Sequence, residues 1–193
     1  MMIGDNTGAQ KVTWKKIPKN SLGAEIGVWR GKSTKMFLKR NPKHLHLVDP
    51  WNKDWTDSLD PNKLNWALER YSELVGSKNL SDWDDYYDKV HSKVVKTYGK
   101  LKNVTIHRQK SVEWMKEYSG EKLDWIYIDG DHSYEGCLAD LETCLSIMKP
   151  KGIIFADDYK NGKLGVMKAI DEFVEKHNFK LQVFRNYQVQ INL

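Results

Sequence analysis

Residues 24 to 34 read Ala24-Glu25-Ile26-Gly27-Val28-Trp29-Arg30-Gly31-Lys32-Ser33-Thr34. A short apolar run, Ala24 to Val28 with one acid in it, enters a turn holding two glycines, and a helical pattern begins near Ser33. Glycine tolerates positive φ and lets the backbone approach a ligand closely. The helix that follows begins with N–H groups that have no partner inside it. A strand, a glycine turn and a helix in that order define the first unit of an α/β fold.

The rest of the chain repeats the pattern outward from this turn. Leu45 to Val48, Val104 to His107, Trp125 to Ile128 and Ile153 to Ala156 are further apolar runs. Helical patterns lie between them. Residues 61–75 and 82–98 form two. Tyr134, Leu138, Leu141, Leu145 and Met148 mark one face of a third. Val166, Ile170, Phe173 and Val174 mark a fourth, with Asn178 as its C-terminal cap. Lys180 to Phe184 and Tyr187 to Ile191 flank Arg185-Asn186 and read as a closing antiparallel hairpin. The expected fold is a Rossmann-like three-layer α/β sandwich in one domain, with a mostly parallel sheet. Residues 50–102 are long for one crossover and read as a helical insertion or lid. In such sheets ligands sit beyond the carboxyl ends of the strands, so the residues just after each run carry the functional information.

Three readings of the glycine turn compete. A phosphate loop needs four residues between its glycines, and only three separate Gly27 from Gly31. A nicotinamide-dinucleotide turn needs Gly-x-Gly-x-x-Gly, which Trp29 and Arg30 break. The third is acid-x-Gly-x-x-x-Gly: Glu25, Gly27 and Gly31. It suits S-adenosylmethionine (SAM), which has no phosphate to cradle but has an ammonium group for an acid to face. Asp49 ends the second run, where an acid can bind two ribose hydroxyls.

Asp129-Gly130-Asp131-His132 follows the fourth run and Asp157-Asp158 the fifth. Ends of neighbouring strands lie about 5 Å apart, so these carboxylates would crowd one spot. Such crowding favours a bound cation or a held proton. Oxygen ligands suit Mg²⁺ or Mn²⁺. Asp131 or His132 could take a proton from a substrate, histidine being the easier base near neutrality. His44, His46, His91 and His107 show no metal-ligand spacing.

Composition sets outer bounds. The 193 residues are 40% hydrophobic and 30% charged, as in a soluble globular domain. The polar start, Met1 to Gln10, has no signal-peptide pattern, and no apolar run is long enough for a membrane helix. Thirty-one basic against 26 acidic residues give a net charge of +5, scattered rather than clustered, so nucleic acid is the weaker partner reading. Cys137 and Cys144 read as free thiols of a cytoplasmic protein.

Taken together, Glu25 to Ser33, Leu47-Val48-Asp49-Pro50-Trp51, Tyr127 to Tyr134 and Asp157-Asp158-Tyr159 resemble the class I SAM-dependent methyltransferases of the "methyltransferase 24" type. The glycine turn is similar to that of macrocin-type sugar O-methyltransferases. The resemblance spans roughly residues 22–177 and implies SAM contacts at Glu25, Gly27, Gly31, Ser33, Asp49, Ser111 and Asp129. It also implies a Mg²⁺ site at Asp129, Asp157 and Asp158, a general base at Asp131, and the strand order 3-2-1-4-5-7-6. Two departures stand out. His132 and Ser133 separate the Asp-Gly-Asp from Tyr134 where the macrocin type has one residue, leaving the base as Asp131 or His132. Gln109-Lys110-Ser111 replaces the usual Gly-Asp/x-Ser after the third strand. The implied activity is O-methylation of a small hydroxylated, sugar- or diol-like molecule by a single chain or a homo-oligomer. The alternatives are a metal-dependent nucleotide-sugar transferase using Asp129-Gly130-Asp131, and a non-catalytic SAM-binding module.

Overall fold

The computed structural model describes residues 13–57, 59–160, 165–184 and 187–193. Seven strands form one sheet: β1 (Leu22–Ile26), β2 (His44–Val48), β3 (Val104–His107), β4 (Leu123–Ile128), β5 (Met148–Ala156), β6 (Lys180–Val183) and β7 (Val189–Asn192). Their order is β3-β2-β1-β4-β5-β7-β6. The first five run parallel, and β7 pairs antiparallel with both β5 and β6. Six helices connect them: α1 (Lys32–Phe37), α2 (Pro61–Val75), α3 (Trp83–Tyr98), α4 (Ser111–Glu117), α5 (Tyr134–Cys144) and α6 (Val166–His177).

The sheet is covered on both faces, and strand alternation divides the core in two. Ile26, Ile126, Ile128, Ile154 and Ala156 point to the side that packs Trp114 of α4, Leu141 of α5 and Phe173 of α6. Leu45, Leu47, Trp125, Tyr127 and Phe155 point to the other, with Phe37 of α1 and Val90 and Val94 of α3. Residues 50–102 supply part of this second layer. Helix α3 buries Trp83, Val90, Val94 and Tyr98, whereas α2 buries only Ala67 and Ser72 and lies further out. Helix α2 has strong local punctuation: Asp60 accepts from the N–H groups of Asn62 and Lys63, Pro61 opens the helix, and Gly76 closes it at φ 86°.

Several expected boundaries move. Met148 opens β5, opposite Leu123, instead of closing the helix, which stops at Cys144. Pro150 cannot donate to a helix and pushes Lys149 toward extended backbone. The strand therefore starts at Met148 rather than at Ile153, and β4–β5 pairing shifts register between Leu123 and Trp125. Tyr187 stands at φ 64° outside β7. The expected turn at Arg185-Asn186 and the reading of Met1 to Gln10 lie outside the described residues. Asn178 caps α6 in left-handed conformation, as its position after the apolar face suggested. Among the described residues no helix is long and apolar enough to cross a membrane.

Candidate active site

The sheet order reverses between β1 and β4, since the crossovers from β1 lead to β2 on one side and later to β4 on the other. A crevice opens at such a point beyond the strands' carboxyl ends. Gly27 and Asp129 meet there. The Gly27 N–H donates to the carbonyl of Val48 and the Asp129 N–H to that of Ile26, both at 2.9 Å. Gly27 has φ 83°, and a Cβ at that position would lie 1.9 Å from the Asp129 carbonyl oxygen.

Asp49 braces the turn. Its carboxylate accepts the N–H of Trp29 at 2.8 Å and that of Trp51 at 2.6 Å. Both tryptophans have positive φ, 46° and 43°, which a non-glycine residue adopts only when held. The Trp51 indole N–H donates to the Trp29 carbonyl at 2.8 Å, and Trp51 is fully buried. Burial pushes the Asp49 carboxyl up, opposed by those N–H groups and by Arg108. Glu25 is buried beneath the turn and accepts the Thr34 hydroxyl at 2.5 Å. Burial first, then the charges of Asp129 and Asp49, hold it well above the usual carboxylate range. Ser33 is buried in the first turn of α1. Tyr98 of α3 donates its hydroxyl to the Gly31 carbonyl at 2.7 Å, fastening that helix to the turn.

The acidic residues divide differently from the expectation. Asp129, His132 and Asp158 each present a ligand atom within 4.8 Å of the others. His132 Nε2 lies 3.1 Å from Asp129, and Nδ1 lies 3.5 Å from Asp158. Burial pulls the imidazole pKa down, but the bond and charge of Asp129, then the charges of Asp158 and Asp157, raise it to about 9. Asp157 turns inward. It accepts the Tyr127 hydroxyl at 2.9 Å and the Gln188 amide at 3.3 Å, and burial with the Asp129 charge raises it to about 7. Asp131 is exposed, accepts the Ser133 N–H at 2.8 Å, and packs against Gly136 of α5. The structure thus gathers Asp129, His132 and Asp158, with Asp157 beside them bonded to Tyr127 and Gln188, and Asp131 bonded to the Ser133 N–H.

Ser111 opens α4 and donates to Asp140 of α5 at 2.5 Å. Asp140 was not singled out by its sequence, yet it falls on the buried face of α5 with Cys137, Leu141 and Cys144. Its second oxygen is buried without a hydrogen-bond partner among the described residues. Burial raises its pKa to about 7, well above the unfolded value of about 3.9. For a raised acid, the fold favours the protonated form. Its stabilising contribution is complete below about pH 4 and is lost as pH rises through about 7. Asp140→Asn, neutral at every pH, is therefore expected to gain about 1–3 kcal/mol over the wild type at pH 8 relative to its effect at about pH 4. Urea unfolding at the two pH values measures this; equal gains at both would refute the assignment.

Residues 24–159 match the family described as "methyltransferase domain", of the methyltransferase 24 type, and the chain belongs to that family. A search of curated proteins returned no match. Solved structures share the fold at low identity. A Klebsiella pneumoniae protein assigned as an O-methyltransferase is 14% identical, with TM-score 0.60 over 99% of this chain and 81% of that one. The N-methyltransferase NodS from Bradyrhizobium japonicum is 10% identical, with TM-score 0.57 over 98% of both chains. The O-methyltransferase TomG from Streptomyces achromogenes, involved in tomaymycin synthesis and solved with SAM, is 11% identical, with TM-score 0.56 over 95% and 77%.

Proposed function

We propose that this protein moves the methyl group of SAM onto an oxygen of a small hydroxylated molecule. The observation that carries the reading is the contact between the Gly27 turn and Asp129. It joins a cofactor turn and a cluster of acids into one crevice. Family membership argues against the nucleotide-sugar reading of Asp129-Gly130-Asp131.

Each residue has a task in this scheme. Asp49 uses one lone pair of each oxygen to hold the turn, leaving another on each for a ribose hydroxyl. Glu25, whose carboxyl burial pushes well above the usual range, would be drawn toward its charged form by the ammonium and sulfonium charges of SAM. Ser111, oriented by Asp140, faces the adenine end. Helix α3, tied to Gly31 through Tyr98, walls the site. Methyl transfer breaks the S–C bond as the acceptor oxygen forms the new one, so most of the catalysis is alignment.

The donor set of Asp129, His132 and Asp158 fits a divalent cation. Its ligand atoms already converge, and the proton on His132 balances carboxylate charge that a metal would otherwise meet. Two carboxylates and an imidazole suit Mn²⁺, whereas Mg²⁺, which takes oxygen ligands, would be held by Asp129 and Asp158. When bound, the ion would hold the acceptor oxygen and lower its pKa. An imidazole that ligates the ion keeps no lone pair for a proton, so His132 serves as ligand or as base and not as both; as a base it stands among the acids, whereas Asp131 packs against α5.

Calorimetric titration with SAM and S-adenosylhomocysteine, with and without Mg²⁺, tests the scheme. Saturable binding that Asp49→Ala weakens about tenfold or more is expected, from the loss of charge-assisted hydrogen bonds. A folded protein that binds neither ligand would sink the reading.

A further inference from the structure

Beside the glycine turn lies a groove of about 500 Å³, lined by Arg30, Lys32, Tyr86, Lys89, Val90 and Lys93. Four of these six side chains are cationic and none is acidic. Arg30 leaves the turn and Lys32 opens α1. The other four lie on α3 at steps of three, one and three, which is one helix face. We propose that this groove binds the phosphate end of the methyl acceptor, so that the acceptor is a phosphorylated, hydroxylated small molecule.

The cations are arranged for a ligand. Arg30 is fixed in place: its Nε and one terminal nitrogen donate to the Tyr86 hydroxyl at 3.2 and 3.0 Å, and its guanidinium lies 4.9 Å over the Trp29 ring. Two acids of α3 are spent elsewhere, Asp84 on Lys53 and Asp88 on Arg108. Among the described residues neither Lys89 nor Lys93 has a carboxylate partner. Like charges lining one concavity raise its potential and draw anions in. A phosphate monoester carries about −1.5 to −2 near neutrality, so one or two such groups match the charges of Arg30, Lys89 and Lys93 where a lone carboxylate would not.

Position and size choose a small molecule. The volume lies within the range of about 300–1,000 Å³ for small-ligand sites. The groove face of α3 runs only from Tyr86 to Lys93, about 11 Å along the helix axis, which disfavours a long polyanion. Consecutive Cα atoms are about 3.8 Å apart, so Arg30 lies within about 11 Å of Gly27. That span is within the length of a small molecule seated at Arg30. The chemistry at that far end rests on the methyl-transfer reading, whereas anion binding in the groove does not.

The test is calorimetric titration of the whole chain with inorganic pyrophosphate at constant ionic strength, with SAM titrated in parallel. Lys89→Glu/Lys93→Glu is compared with Lys116→Glu/Lys151→Glu, which changes charge equally elsewhere. Saturable pyrophosphate binding, weakened about tenfold or more in the groove variant only and with SAM affinity retained, is expected. Lys89→Gln/Lys93→Gln replaces the reversal if circular dichroism shows it unfolded. No binding at millimolar pyrophosphate, equal weakening in both variants, or a short single-stranded RNA binding more tightly than pyrophosphate overturns the proposal. SAM binding without pyrophosphate binding removes the groove alone. Pyrophosphate binding without SAM binding removes the methyl-transfer reading alone.

Discussion

Gly27→Ala is expected to lose about 3–5 kcal/mol of stability, about 10 °C in Tm, together with SAM binding. The added Cβ would stand 1.9 Å from the Asp129 carbonyl oxygen, 2.4 Å from its carbon and 2.8 Å from the Gly130 nitrogen. All three are backbone atoms, so no rotamer change relieves the clash. Neither strand end can retreat cheaply, because Gly27 is tied to Val48 and Asp129 to Ile26 by hydrogen bonds. A positive φ of 83° adds the strain that an L side chain meets there. Gly76→Ala separates the two contributions. Gly76 has nearly the same φ, 86°, but open space around it, so it should cost only about 1 kcal/mol. Thermal unfolding and SAM titration of both variants read the difference. A Gly27→Ala protein as stable as Gly76→Ala, with unchanged SAM affinity, would mean that the strand ends are not held as described.

What could be read from the chain alone was what short-range chemistry determines. Apolar runs alternating with helical patterns signalled a mostly parallel sheet covered on both faces, and both faces are covered. The helix expected over residues 61–75 matches α2, whose ends Asp60, Pro61 and Gly76 fix through capping that acts within a few residues. Met148 was misplaced because its spacing continues a helical face while the effect of Pro150 lies two residues on. At the strand ends, Gly27 meets Asp129, and Asp129 meets His132 and Asp158, but which contacts each residue makes is not separable by spacing. Asp157 faces inward because Tyr127 and Gln188 reach it from β4 and from beside β7, 30 and 31 residues away. Asp131 folds onto α5 because Gly136 leaves room for it, which puts His132 among the acids. Thr34 and Asp140 matter through partners distant in sequence or across a helix pair. Asp140 alone left a trace, as a carboxylate on an otherwise apolar helix face.

Asp129→Asn should lower methyl transfer by about a thousandfold while leaving the fold intact, the size expected if several kcal/mol of charge stabilisation disappear. Asp129 is the group through which the others are set. Its bond and charge help raise His132 to about 9, and its charge helps raise Asp157 to about 7. In the variant, burial should dominate His132 and its pKa should fall, which imidazole NMR titration would record in a folded protein. The wild-type sign follows from the direction of the shift. His132 is raised above its unfolded value of about 6.5, so its pairing stabilises fully below that pH and fades as pH rises through about 9. A divalent cation must displace the same proton. Wild-type affinity for Mg²⁺ should therefore climb about tenfold per pH unit toward pH 9, with proton release on binding. The variant should lose more than about 100-fold of that affinity, beyond what an outer-shell change removes. Mg²⁺ affinity that is flat with pH, or an Asp129→Asn variant that retains wild-type turnover, would show that His132 and Asp129 are a structural ion pair. The acceptor oxygen would then have to be activated elsewhere in the crevice.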